Sequence, residues 1–459
     1  MSAHAAPDPA DGPGKPHHPL GGADRERIVA WRGDRPVRLA GFLDDVHAIA
    51  ACLPANGAAI NLCEDRYAFL ASFCAVAARG QTTLLPPSRA RDAIDNALAS
   101  QPDAYVITDV PLDPAPDRLV RLPDLRSAPG DAHGTPIAPH HVVAIGFTSG
   151  STGQPKANAK TWANFEIGTR LNAKILSATL GLGPDQPATI VATVPPQHMY
   201  GMEMSVLLPL FGAFAVHSGK PFFAADIARV LGEVPEPRVL VTTPIHLRAL
   251  LRDAADLPEI AGIVSATAPL AADLAAAAEA RFRAPLIELF GSTETCVIAH
   301  RRTAVESTWK LHPGVSLRPQ PDGTQVDADH LSQPVVLQDL VELLSDGRFR
   351  LCGRNADLLE IAGKRASLAD LTRRLQSIDG VLDAAVFQLD EADTHGVQRV
   401  AALVVAPTRC AGDLIDALRD QIDPVFLPRP LRLVERLPRN DTGKLPRADL
   451  IAALRSARR

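Results

Sequence analysis

Short apolar runs alternate with Ala- and Leu-rich helical stretches through most of this chain, and that alternation constrains its fold more than any other feature. Ala58–Leu62, Thr82–Leu85, Tyr105–Thr108, Val142–Phe147, Ala188–Val194, Arg238–Thr243, Ala261–Ser265 and Pro285–Phe290 each read as strands. Helical stretches fill most of the intervals. Strands joined by helical crossovers build a mainly parallel sheet, so the pattern predicts an α/β architecture. Residues 109–139, rich in Pro and Asp, read as a long connecting loop.

The last hundred residues follow a different pattern. After the turn signal Asp346-Gly347, the spacing of Leu368, Leu371, Leu375 and Ile378 predicts a helix. Asp383–Leu389 and Val400–Ala406 read as strands and Leu414–Ile422 as a second helix, which together make a small α+β unit. The expected division is a tail at 1–22, a large N-terminal domain at 23–352 and a C-terminal domain at 353–459. The tail is rich in Pro, Gly and His and lacks the apolar core of a signal peptide, so it reads as a disordered extension.

Composition excludes several classes. With 47 Lys+Arg against 52 Asp+Glu there is no basic excess to neutralise a phosphate backbone, so no nucleic-acid partner is expected. An apolar fraction of 46% excludes a disordered protein. The longest nearly apolar stretch, Met204–Val216, contains Pro and Gly and falls short of the ~20 residues of a membrane span. The six cysteines form no CxxC pair and no zinc-type cluster, so a reduced, cytoplasmic protein is expected.

The stretch with the most chemical content is Gly146-Phe147-Thr148-Ser149-Gly150-Ser151-Thr152-Gly153-Gln154-Pro155-Lys156. A strand empties into small and hydroxylated residues closed by Pro and Lys. Glycines let backbone N–H groups approach an anion, hydroxyls add donors, and lysine adds charge, which suits a polyphosphate. It is not a Walker A loop, because GxxxxGK[ST] occurs nowhere and Pro155 interrupts the helix start that motif needs. A Ser/Gly/Thr loop alone could be a flexible connection.

The order T-S-G-S-T-G-x-P-K resembles the phosphate-binding signature of adenylate-forming, AMP-binding enzymes, and the resemblance continues in order along most of the chain. Pro195-Pro196-Gln197-His198-Met199-Tyr200-Gly201 is similar to the stretch lining the family's acyl pocket, which implies His198, Met199, Tyr200, Gly201 and Cys296 as pocket residues. Ser265-Ala266-Thr267-Ala268-Pro269-Leu270 resembles the turn flanking adenine. Phe290-Gly291-Ser292-Thr293-Glu294-Thr295 resembles the motif whose Thr meets phosphate and whose Glu holds Mg²⁺. Asp339 and Arg354 fall where the ribose-binding residues do, so Ala266, Phe290, Gly291, Ser292, Asp339 and Arg354 are the implied nucleotide residues. Thr148, Ser149, Gly150, Ser151, Thr152, Gly153 and Lys156 are the implied phosphate residues. Ala356 and Asp357 occupy the hinge. Leu437–Leu445 resembles the C-terminal signature, with Lys444 as its catalytic lysine beside Thr293 and Glu294.

The resemblance implies a parallel-sheet α/β body, a barrel-like subdomain and a mobile α+β lid. Only the 44 residues 295–338 separate Glu294 from Asp339, so the barrel-like part is expected to be trimmed. Departures from the pattern are Gln338 in place of the usual Gly, Ala356 at the hinge, and Glu360 where lysine is common. The implied chemistry uses ATP and Mg²⁺ to convert a carboxylic acid, small aromatic or medium acyl, into an acyl-adenylate. Transfer follows to the thiol of CoA or of the phosphopantetheine arm of an acyl carrier protein. The compact length is similar to that of AMP ligases from aryl polyene and xanthomonadin-type pathways. Two alternatives stay open: a ligase that stops at the adenylate, and a non-catalytic nucleotide or acyl sensor. Taken singly, Glu294 also reads as a solvated loop acid, Lys444 as a surface lysine and His198 as a core histidine.

Overall fold

The structure is a computed structural model, and it describes residues 24–457 except 102, 127–132, 150–154, 184, 254, 321–322, 355–357, 362–363, 393–397, 420 and 441–444. The 1–22 tail lies outside these residues.

Two sheets organise the large N-terminal part. The first has six strands in the order Leu119–Arg121, Tyr105–Thr108, Ala58–Asn61, Thr82–Leu85, Val142–Ser149 and Pro155–Thr161. All neighbours are parallel except the last pair, an antiparallel hairpin. The second has eleven strands with a parallel centre formed by Leu286–Ser292, Gly262–Ser265, Arg238–Thr242, Ala188–Ala192, Phe214–His217 and Ile28–Arg32. Antiparallel strands extend both flanks.

Helices Leu39–Cys52, Arg66–Ala78 and Trp162–Thr179, with the helical segment Met199–Phe211, contribute to one apolar core shared with both sheets. Arg66–Ala77 are buried all round, as expected of a helix sealed between layers and not lying on a surface. Asp65 caps its first turn by accepting from Ala68 N. The burial of strand runs on both faces explains why they read as unbroken apolar stretches.

Between Glu294 and Asp339 the expected trimmed subdomain takes the form of a three-stranded antiparallel sheet, Val315–Gln320, Gly323–Ala328 and Val335–Leu337. Its Leu317, Val326 and Leu337 share a core with Trp309 and Phe349 of the large sheet. The strand Arg348–Arg354 is also part of that large sheet, so the chain leaves it after Arg354, slightly beyond the expected division at 353.

The C-terminal part has its own sheet, Asp383–Ala392, Gln398–Val405 and Leu431–Leu433. Alternate residues serve two cores, as the two-residue period of a strand requires. Ala384, Val386, Ala402 and Val404 pack with helices Leu368–Gln376 and Ala411–Arg419, while Ala385, Phe387, Ala401 and Leu403 pack with helix Arg447–Ser456.

Two readings of local structure need correction. The 109–139 connection contains the short edge strand Leu119–Arg121, hidden in the sequence because it is only three residues long and incompletely buried. The helix expected at Leu414–Ile422 spans Ala411–Arg419 instead, and Pro424 opens a separate 3₁₀ turn.

Arg66 ties these layers together from within. It is fully buried, with NH1 donating to Ser205 Oγ at 2.5 Å and NH2 to the carbonyls of Ala192 and Val194 at 2.9 and 2.8 Å. Burial lowers its pKa to about 10, still high enough to keep the guanidinium charged at neutral pH. Arg66→Met strands two buried carbonyls and is expected to cost about 3 kcal/mol, which denaturant unfolding would measure.

Candidate functional site

Loops from the two sheets meet at one place. In the six-stranded sheet, Val142–Ser149 and Pro155–Thr161 pair antiparallel with Thr148 opposite Lys156, so the strands on either side of the Ser/Thr/Gly loop are hydrogen-bonded neighbours. Gly150, Ser151, Thr152 and Gly153 lie outside the described residues, as does the Ser149 side chain. Thr148 is half-buried and Lys156 exposed. Asn158 Nδ2 donates to the Gly146 carbonyl at 3.3 Å and stands 3.5 Å from Thr148 Oγ1, bracing the strand that enters the loop.

The large sheet supplies the facing turn. Leu286–Ser292 reverses into Cys296–Arg301 through Thr293, Glu294 and Thr295. Ser292 N donates to Thr295 Oγ1 at 3.1 Å and Thr295 N to Ser292 Oγ at 3.2 Å, while Cys296 takes φ +57° to complete the reversal. Thr293 then packs directly on the hairpin backbone. A Cβ at Gly146 would lie 2.7 Å from Thr293 Cγ2 and 3.5 Å from Met199 Cε, so only glycine permits this approach. Phe290 faces away from the turn toward Trp309 and Phe349, with ring centroids 5.4 and 5.8 Å apart. Among the described residues, no hydrogen bond or ion pair reaches the half-buried Glu294 carboxylate.

The expected acyl residues lie behind this turn. His198 immediately precedes the short helix Met199–Met202 without a side-chain capping bond, and that helix passes through the π-helical turn Glu203–Leu207 into Leu208–Phe211. Such π turns often accompany functional sites because they re-aim side chains. Gly201 is pressed against the Pro195 carbonyl, leaving no room for a Cβ. Tyr200 OH donates to the carbonyls of Thr242 and Val264 at 3.1 and 2.9 Å, locking the ring beneath the strand ends. Cys296 Sγ is 3.9 Å from Met199 Sδ, and Ala266 is buried. Burial pushes the Cys296 thiol up to about 12, against the opposing pull of nearby Lys160.

The Ser265–Leu270 turn is held by Leu270 N donating to Glu288 Oε1 at 3.2 Å, and Thr267 adopts φ +81° within it. Asp339 and Arg354 are direct register partners on neighbouring antiparallel strands, which places these two expected ribose residues side by side. The Arg354 side chain, Ala356, Asp357 and Lys444 lie outside the described residues.

Three buried polar groups behind the turn escaped the sequence reading: Lys160, Glu203 and His330. Glu203 alone left a trace, as the lone carboxylate at the head of the apolar run beginning at Met204. Its Oε2 accepts from Asn172 Nδ2 and Val297 N, both at 3.1 Å. Burial pushes its carboxyl up to about 7, against the opposing pull of those two bonds and of nearby Lys160. Among the described residues no group of three or more His, Cys, Asp or Glu could hold a metal, and no helix is long and apolar enough to cross a membrane.

Comparison with known proteins bears on this site. Residues 45–329 match the family model for AMP-binding enzyme and residues 374–444 that for AMP-binding enzyme C-terminal domain. The chain is 28% identical to a 4-coumarate–CoA ligase of Halorhodospira halophila over 72% of this chain and 81% of that protein. It is 25% identical to an indoleacetate–CoA ligase of Aromatoleum aromaticum over 78% of this chain and 76% of that protein. The fold matches an o-succinylbenzoate CoA synthetase from Bacillus subtilis with a TM-score of 0.78 at 18% identity, over 93% and 95% of the two chains.

Two outcomes follow from the local geometry. A β-branched residue at φ +81° is strained by about 1 kcal/mol or more, so Thr267→Gly should hold or raise the melting temperature despite glycine's larger unfolded-state entropy. Glu203 has a folded pKa of about 7 against an ordinary 4.5, so stability tied to its neutral form is complete below about 4.5 and is lost as pH rises through about 7. Glu203→Gln removes that loss, and its stability relative to wild type should climb between pH 5 and 7 in unfolding titrations.

Proposed function

We propose, from the premise that this chain belongs to the AMP-binding enzyme family, that it activates a small aromatic carboxylic acid with ATP and passes the acyl group to a thiol. The observation that carries this reading is the packing of Thr293 on Gly146, which brings the Thr293–Glu294 turn to the root of the Ser/Thr/Gly loop. Two anionic reactants must be held together there, so positioning and charge neutralisation are the chief tasks.

In the first step a carboxylate oxygen bonds to the α-phosphorus of ATP as the bond to pyrophosphate breaks. The loop amides and Lys156 hold the departing pyrophosphate, Thr293 donates to phosphate, and Lys444 stabilises the charge that develops between carboxylate and α-phosphate. Asp339 and Arg354 hold the ribose, and Ala266, Gly291 and Ser292 border the nucleotide. Glu294 fits Mg²⁺, being a hard oxygen donor with no competing partner among the described residues; this ion, which is commonly held by one or two carboxylates plus substrate phosphates, would neutralise phosphate oxygens. In the second step the thiol sulfur bonds to the acyl carbon, AMP leaves, and the thiol proton passes to solvent. A swing of the C-terminal domain about Ala356 and Asp357 separates the two steps.

The buried Met199, Tyr200, Ala266 and Cys296, with His198 at the edge, form a largely apolar surface suited to an aromatic acid. The names of the coumarate and indoleacetate ligases support the same substrate class and CoA as acceptor. An acyl carrier protein would present the same phosphopantetheine thiol.

Acid-dependent ATP–pyrophosphate exchange with hydroxybenzoates, cinnamates and aliphatic acids tests the reading. Exchange should be strongest with the aromatic acids and fall about a hundredfold or more in Lys444→Ala. No exchange with any acid would refute it. Thioester formation with CoA against a holo-carrier protein then identifies the acceptor.

A further inference from the structure

We propose that Lys160 is a positioning residue that fixes the Thr293–Glu294 turn to the hairpin carrying the Ser/Thr/Gly loop. The inference rests on the reading of that turn as the phosphate and Mg²⁺ element. Lys160 is 4% exposed, and its Nζ donates to the Glu294 carbonyl at 2.5 Å. It sits on the strand Pro155–Thr161, four residues after Lys156, so the two-residue period of a strand puts both lysines on one face. The outer lysine is exposed, while the inner one grips the opposing turn.

Two further anchors surround the same turn. Glu203, 3% exposed and aimed by the π-helical turn, accepts from Val297 N just past the reversal. His330 Nε2 lies 2.9 Å from the Thr295 carbonyl. The backbone at 294, 295 and 297 is thus held by side chains from three separate segments, none of which reaches the Thr293 or Glu294 side chain. Burying a Lys and a Glu is a poor route to stability, since apolar residues of similar size fill such a volume at no greater cost. What the ammonium supplies, and an apolar side chain cannot, is a donor aimed at one carbonyl.

Lys160→Met and the double variant Lys160→Met/Glu203→Gln separate positioning from stability. The single variant takes away the ammonium near the buried Glu203 carboxylate and should melt at a lower temperature at pH 8. The double variant removes that charge while the Gln carbonyl still accepts from Val297 N, so its melting temperature should return toward wild type. Positioning predicts that the double variant nonetheless binds Mg-ATP about tenfold more weakly than wild type in titration calorimetry, with Glu203→Gln alone near wild type. If the double variant regains wild-type Mg-ATP affinity along with its melting temperature, the inference is overturned, and the same holds if both Lys160 variants bind as wild type does. A wild-type protein that binds Mg-ATP but shows no acid-dependent exchange would sink the proposed function alone and leave this comparison readable.

Discussion

At Gly146 the backbone of one sheet is covered by a methyl group from the other: Thr293 Cγ2 stands where any side chain on that residue would be. This contact sets the relative position of two loops that belong to different sheets and different parts of the sequence. A polyphosphate held by one loop can be met by a hydroxyl and a carboxylate from the other only if the sheets approach this closely. The glycine is therefore a geometric requirement of the site, not merely of the turn.

Holding two sheets together around a polar site raises an electrostatic problem. Arg66, Lys160, Glu203 and His330 are all buried near the interface of the layers, where unpaired charge or unmet hydrogen bonds are costly. Each meets a specific partner: Arg66 the carbonyls at the end of strand Ala188–Ala192, Lys160 and His330 the carbonyls of the 293–295 turn, and Glu203 the amide beyond it. Polar anchoring of backbone fixes loops that apolar packing alone would leave free to slide. The buried Met199, Tyr200 and Cys296 lie beside these anchors.

Much of this was legible in the sequence, and the reason differs by element. Central strands such as Thr82–Leu85 and Tyr105–Thr108 are built of apolar and β-branched residues that suit a largely buried strand, and their limits match the structure. The Ser/Thr/Gly loop was legible in the sequence because the order T-S-G-S-T-G-x-P-K is uncommon by chance. Leu119–Arg121 was not, since a short, partly exposed edge strand needs no apolar run. Lys160 and His330 left no local sign, because what buries them is contact with segments more than thirty residues away. A lysine in the stretch Ala-Asn-Ala-Lys-Thr-Trp reads as a solvated residue until the 293–295 turn is folded over it.

A crystal structure of the protein with ATP, Mg²⁺ and an aromatic acid tests the central claim most directly, because that claim is about where two loops hold one nucleotide. The account predicts phosphate against Thr293 and the Ser/Thr/Gly loop, the metal on Glu294, and the ribose between Asp339 and Arg354. A nucleotide bound anywhere else, or bound with Thr293 and Glu294 turned away from its phosphates, would contradict it.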